Sequence, residues 1–190
     1  MKRTSWIVIV ALVVVAGAAY WWWRGSGDGA AVAVDLVESF RAAEKRSQMD
    51  PAVAFSMEPQ TIAGETKPAI FAHPPARIIY HDIEIPDHAV LEAWLALKEE
   101  AWDKDTDGVY FRLGASLGET YKDLITRSVV PHKVPADRAW IHVTADLSEY
   151  AGHKVNIVLN THTSAPGVAG TALYDFAVIG APRIVVRPGR

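Results

Sequence analysis

Residues 6–23 read Trp6-Ile-Val-Ile-Val-Ala-Leu-Val-Val-Val-Ala-Gly-Ala-Ala-Tyr20-Trp21-Trp22-Trp23, without a charge, a His, an Asn or a Gln. As a helix this run is about 27 Å long, close to the ~30 Å hydrocarbon core of a bilayer. Backbone in lipid must satisfy its own hydrogen bonds, so the run predicts a single transmembrane helix. Trp6 at one end and Tyr20, Trp21, Trp22 and Trp23 at the other stand where amphipathic rings prefer to lie, at the two interfaces. Lys2 and Arg3 precede the run, which places the N-terminus in the cytoplasm and the rest of the chain on the outer side of an inner or plasma membrane. The rival reading is a cleaved signal peptide, for which Ala16-Gly17-Ala18-Ala19 offers small residues. Three tryptophans directly after that site anchor a helix better than they mark a cleavage point.

Beyond Arg24 lie all 22 acidic side chains and, with Lys2, Arg3 and Arg24 set aside, 16 of the 19 basic ones. A domain this acidic repels a phosphate backbone, which argues against nucleic acid as a partner. The absence of cysteine excludes disulfides, thiolate catalysis and Cys-ligated zinc. The exported part must therefore rest on its hydrophobic core, for which it is large enough.

Three segments are expected: a cytoplasmic tip and anchor over residues 1–24, a linker over 25–75 and a β domain over 76–190. Gly25-Ser26-Gly27-Asp28-Gly29 is a flexible break. Residues 30–48 predict a short amphipathic helix with the stripe Val34, Val37, Phe40 and Ala43, acids early and Arg41, Lys45 and Arg46 late. Such a helix lies on lipid, on a partner or on its own domain. Val34, Val37, Phe40, Arg41 and Lys45 are its candidate partner contacts. Residues 49–75 carry Pro51, Pro59, Pro68, Pro74 and Pro75 and predict an irregular tract laid along a partner. From residue 76 the texture is that of strands joined by Gly, Pro and Asp turns without intervening helices. The fold class expected is mainly β, an antiparallel β-sandwich. Residues 89–97 fit helix or strand equally.

Ala101-Trp102-Asp103 through Val109-Tyr110-Phe111, then Trp140 through Asp146-Leu147-Ser148-Glu149-Tyr150-Ala151-Gly152, then Val155 to Thr161, then Asp175-Phe176-Ala177 and Gly180-Ala181-Pro182 follow in that order. The series resembles the jelly-roll sandwiches of carbohydrate-binding-module and galactose-binding type. That resemblance implies a non-catalytic accessory domain, with Tyr150 packed back on the sandwich and Gly152 in a turn. It also implies a Trp before the final Gly-x-Pro, where this chain has Ile179.

Two motifs suggest chemistry and are each incomplete. Asp103, Asp105 and Asp107 before Gly108 match the first half of a calcium loop, but the twelfth position is Gly114 rather than a bidentate Glu. Gly114-Ala115-Ser116-Leu117-Gly118 matches a nucleophile elbow, but Ser116 lies between strands rather than between strand and helix. No motif calls for a cofactor, and no enzyme activity is expected. Trp102 and Trp140 are expected in the sandwich core. Two function classes follow. The first is an accessory subunit contacting lipid and the integral membrane proteins of a larger complex, of respiratory or photosynthetic type by analogy alone. The second is a membrane-tethered module of the cell envelope that binds glycan.

Overall fold

The computed structural model describes residues 30–187. The expected anchor, with Trp6, Tyr20, Trp21, Trp22 and Trp23, lies outside them. Among the described residues no helix is long and apolar enough to cross a membrane.

Among the described residues, eleven strands form two antiparallel sheets. They are β1 (Ala31–Asp35), β2 (Glu44–Ser47), β3 (Phe55–Ile62), β4 (Glu65–Ala72), β5 (Ala76–Glu84), β6 (Ala89–Leu97), β7 (Val109–Leu117), β8 (Thr120–Val129), β9 (Ile141–Asp146), β10 (Lys154–His162) and β11 (Ala177–Val186). One sheet runs β3-β4-β11-β6-β9, with β1 also paired to β11; the other runs β2-β5-β10-β7-β8. Period-two alternation gives each strand an inner face. Val109, Phe111, Leu113 and Ala115 of β7, Ile78 and Tyr80 of β5 and Val155, Ile157 and Leu159 of β10 face Leu91, Ala93, Leu95 and Leu97 of β6 and Ile179 of β11 in one core. Residues 89–97 thus resolve as a strand, and the β-sandwich is present. Tyr150 is buried in the same core, and Gly152 holds φ 73° while its N–H donates to the Ile85 carbonyl at 2.8 Å.

Residues 30–48 are not an amphipathic helix. β1 pairs with β11, a 3₁₀ turn spans Glu38–Arg41, and β2 pairs with β5. The apolar residues serve the chain's own core: Leu36 and Phe40 belong to it, Val37 is buried, and Val34 packs against it. Lys45 sits 4.5 Å from the Phe40 ring and donates to the Arg41 and Ala43 carbonyls, while Arg41 stays exposed. Steps of three and four fit a helix, but Val32, Val34 and Leu36 also alternate, and burial under the sheets decided for strand.

The tract 49–75 is likewise regular. A helical turn over Pro51–Ala54, capped by Asp50, leads into the β3–β4 hairpin. Its prolines sit where no ladder donor is needed. Pro51 opens the turn, Pro59 lies on the edge strand β3, and Pro68 lies beyond Ala69, where the β4–β11 pairing stops. Residues 31–72 therefore belong to the sandwich, which begins well before residue 76. Both segments from which a partner contact was read are thus built into the sandwich, with Arg41, Met49, Val53 and Met57 left exposed.

Candidate functional site

The outer face of the five-stranded sheet is built by three rows of side chains at successive registers. Arg46 pairs with Arg77, Arg77 with Asn160, and Asn160 with Arg112, so four neighbouring strands raise one polar row. Two residues along, Ile79 and Val158 pair, and Val158 pairs with Gly114. Ile79 and Val158 are 8% and 6% exposed, and with Gly114 they make a low apolar floor. On the far side of that floor Asn156 pairs with Ser116 and Ser116 with Tyr121, with His81 beside them. The rows enclose a cleft of about 460 Å³. A second hollow of about 230 Å³, lined by Ser47, Gln48, Pro75 and His162, shares Arg46, Arg77 and Asn160 with the first.

Gly114 makes room for the Tyr121 side chain. A Cβ at position 114 would lie 2.6 Å from Tyr121 Oη and 2.3 Å from the Lys122 carbonyl. Tyr121 Oη donates to Asp123 Oδ1 at 2.7 Å, and Arg112 grips the same carboxylate through Nε at 3.1 Å and Nη2 at 2.7 Å. Burial alone would raise the Asp123 carboxyl, but Arg112 and Tyr121 hold it below the usual carboxylate range. Burial, then Asp123, push the Tyr121 phenol up.

Asn160, 2% exposed, is oriented from several sides. Its Nδ2 donates to the Arg112 carbonyl at 3.3 Å and to Tyr121 Oη at 3.4 Å, while its Oδ1 accepts from Arg77 Nε at 2.7 Å. Across the cleft Glu44 accepts from Arg46 Nε and His81 Nε2, which lower its carboxyl in that order, and Asn156 Nδ2 donates to Ser116 Oγ at 3.4 Å. Fixed amides and guanidinium groups around a small apolar floor match a polyhydroxylated ring, whose hydroxyls ask for planar donors and acceptors and whose C–H face asks for apolar surface.

No family model matches the chain. An uncharacterized protein of Archaeoglobus fulgidus is 32% identical over 130 residues, which cover 65% of this chain and 32% of that protein. The chain thus spans about a third of the length of the curated relative it matches. Among solved structures, TmCBM61 in complex with β-1,4-galactotriose aligns at TM-score 0.49 and 12% identity, covering 79% of this chain and 92% of that one. The M60 catalytic domain with CBM51 domains of Clostridium perfringens ZmpB aligns at 0.48 and 14%, covering 76% and 14%. The C-terminal CBM6 of LamC from Zobellia galactanivorans aligns at 0.42 and 17%, covering 78% and 94%. All three stay below a TM-score of 0.5, which leaves the function of this chain to its own side chains.

The sites read from motifs do not assemble. Asp103 pairs with Arg138 at 2.7 Å, Asp105 is 3.9 Å from His132, and Asp107 accepts from the Thr171 N–H at 3.1 Å. The three carboxylates turn to three separate partners, and among the described residues no group of three or more His, Cys, Asp or Glu is placed to hold a metal ion. Ser116 lies within β7 rather than in a turn. Trp140 and Trp102 are not in the sandwich core. They pack with Phe71 over Ile62, Ala96 and Val178, in a separate cluster formed largely on the outer face of the six-stranded sheet. There too, Trp94 stacks on His142 with ring centroids 4.6 Å apart, and Glu92 accepts from His142 Nε2 and Arg183 Nε, each at 2.8 Å. Ile179 is fully buried, so a Trp at that position would point into the core rather than toward a ligand.

No short motif links Arg77, Arg112, Asn156 and Asn160 in the sequence. Their signal is period two: Arg77-x-Ile79-x-His81 and Asn156-x-Val158-x-Asn160 are outward positions of strands whose inner positions are apolar.

Proposed function

We propose that this chain is a non-catalytic glycan-binding module, held at a membrane surface by the apolar segment 6–23. The observation that supports it is the cleft on the five-stranded sheet, where Arg77, Arg112, Asn156, Asn160 and Tyr121 surround the floor of Ile79 and Val158. The side chains are already tied to one another, so a ligand meets a site that pays little ordering entropy. Because the second hollow shares Arg46, Arg77 and Asn160 with the first, the ligand is an oligosaccharide whose successive units occupy both. In this reading Tyr121 offers a ring face, and Asn156 and Asn160 read hydroxyls.

Isothermal titration of the full chain in mild detergent with a panel of neutral and acidic oligosaccharides tests the reading. At least one should bind with a Kd in the micromolar to millimolar range. Tyr121→Ala should weaken it at least tenfold while the melting temperature stays within a few degrees. Absence of binding across the panel contradicts the reading.

A further inference from the structure

The charges in this cleft are not equivalent. Arg112 is neutralised by Asp123, which it holds through two nitrogens, and Arg46 is neutralised by Glu44. Arg77 differs. Its Nε is bound to an amide, Oδ1 of Asn160, and among the described residues neither of its terminal nitrogens has a hydrogen-bond or ion-pair partner. It stands on an exposed strand position in the row Arg46–Arg77–Asn160–Arg112, and both hollows touch it. Tying Nε to a buried amide fixes the plane of the guanidinium and leaves Nη1 and Nη2 to receive a partner. That is half of a fork-to-fork pair with a carboxylate.

The surroundings point the same way. His162, which borders the second hollow, is held below its ordinary pKa by burial and then by Arg112 and Arg77, against the opposing charge of Asp123. The carboxylates nearest the row, Asp123 and Glu44, already carry their own cations. The remaining acid of the cleft, Glu119, lies on the β7–β8 turn past the Ser116–Tyr121 pair, at the opposite end from Arg77. One end of the cleft is therefore cationic within a domain that is acidic as a whole.

We infer that the glycan bound here is acidic, and that Arg77 receives the carboxylate of a uronic acid unit placed between the two hollows. The inference rests on the glycan-binding reading above. Lys could supply the charge at this position but not the planar fork, so geometry as well as charge sets the preference.

The test uses the full chain in mild detergent and uronic acid trimers of galacturonate, glucuronate and mannuronate, each paired with its methyl ester, which removes the charge and keeps the backbone. Titration calorimetry is run in 50 mM and 500 mM NaCl. The expected result is that one acid binds at least tenfold more tightly than its ester in low salt. The preference should shrink in high salt, as for any charge pair open to solvent. Arg77→Gln should erase the preference, so that acid and ester bind that variant with equal affinity. Arg77→Lys should keep only part of it, which separates a fork from a mere charge. Equal binding of acid and ester overturns the inference while the glycan reading stands. Preserved preference in Arg77→Gln overturns the assignment to Arg77. Failure of acids, esters and the neutral panel together overturns the glycan reading itself.

Discussion

Arg77 Nε donates a 2.7 Å hydrogen bond to Oδ1 of Asn160, a side chain that is 2% exposed and whose own Nδ2 reaches the Arg112 carbonyl and Tyr121 Oη. One amide thus orients two faces of the cleft. Asn160→Ala should weaken glycan binding by more than tenfold at a stability cost of about 1–2 kcal/mol, since it leaves Arg77 and Tyr121 without their shared partner. Asn160→Asp should keep the fold and abolish any preference for acidic ligands, because the new carboxylate neutralises Arg77. Calorimetry and thermal melts of the two variants read both effects.

Gly114 should not tolerate a methyl group. The Lys122 carbonyl, at 2.3 Å from the added Cβ, is backbone and cannot swing away, and Tyr121 Oη at 2.6 Å would be pushed from Asp123. Gly114→Ala is expected to cost about 1–3 kcal/mol by overpacking and to lower glycan affinity in step. Denaturant titration gives the first quantity and calorimetry the second. Wild-type stability would show that β8 shifts freely.

Asp175 should make the domain less stable as pH rises toward neutrality. Its side chain is fully buried, Thr106 Oγ1 donates to Oδ1 at 2.7 Å, and Oδ2 has no partner among the described residues. Burial, with the nearby charge of Asp107, raises its pKa to about 7 against the Thr106 hydrogen bond. The folded chain then holds a proton that the unfolded chain, with a carboxyl pKa of about 3.9, has already lost. The unfolded state binds fewer protons between about pH 4 and pH 7, so this contribution to stability falls through that window and stays lost above it. Asp175→Asn should melt close to wild type near pH 4 and above it at pH 8. Parallel curves for the two proteins would place the ionisation elsewhere.

Phe40 and Trp140 should differ in the direction opposite to their size. Phe40 is 7% exposed and part of the main core, whereas Trp140 lies partly open on the six-stranded sheet, its ring over Gly180 and its Nε1 donating to the Glu65 carbonyl at 2.9 Å. Phe40→Ala should cost about 3–5 kcal/mol. Trp140→Ala should cost less and leave glycan binding intact. Chemical denaturation reads both, and a larger loss at Trp140 would reverse the assignment of core and surface.

The sandwich was legible in the sequence from residue 76 on because alternation such as Phe111-x-Leu113-x-Ala115 leaves little choice once both sheets bury one face. The segment before it was not. Val34, Val37 and Phe40 satisfy helical spacing, and only the edge of β11 left open beside Arg183–Val186 makes a strand of residues 31–35. The prolines of β3 and β4 hid a hairpin because sequence does not say which strand is at an edge. At the site, the Tyr121 ring was visible as an aromatic residue. Arg77, Asn160 and Arg112 were not visible as a set, because they are 83 and 48 residues apart and meet only through strand pairing.

The most direct test of where a glycan binds is amide and side-chain NMR of isotope-labelled full chain during titration with a bound oligosaccharide. Shifts should concentrate on Arg77, Arg112, Tyr121, Asn156 and Asn160, with the side-chain Nε of Arg77 and Nδ2 of Asn160 among the largest, and the Trp94 and Trp140 indoles should stay fixed. Shifts centred on Trp94, Trp140 and His142, with the five-stranded sheet unmoved, would contradict the account and put the glycan on the opposite face.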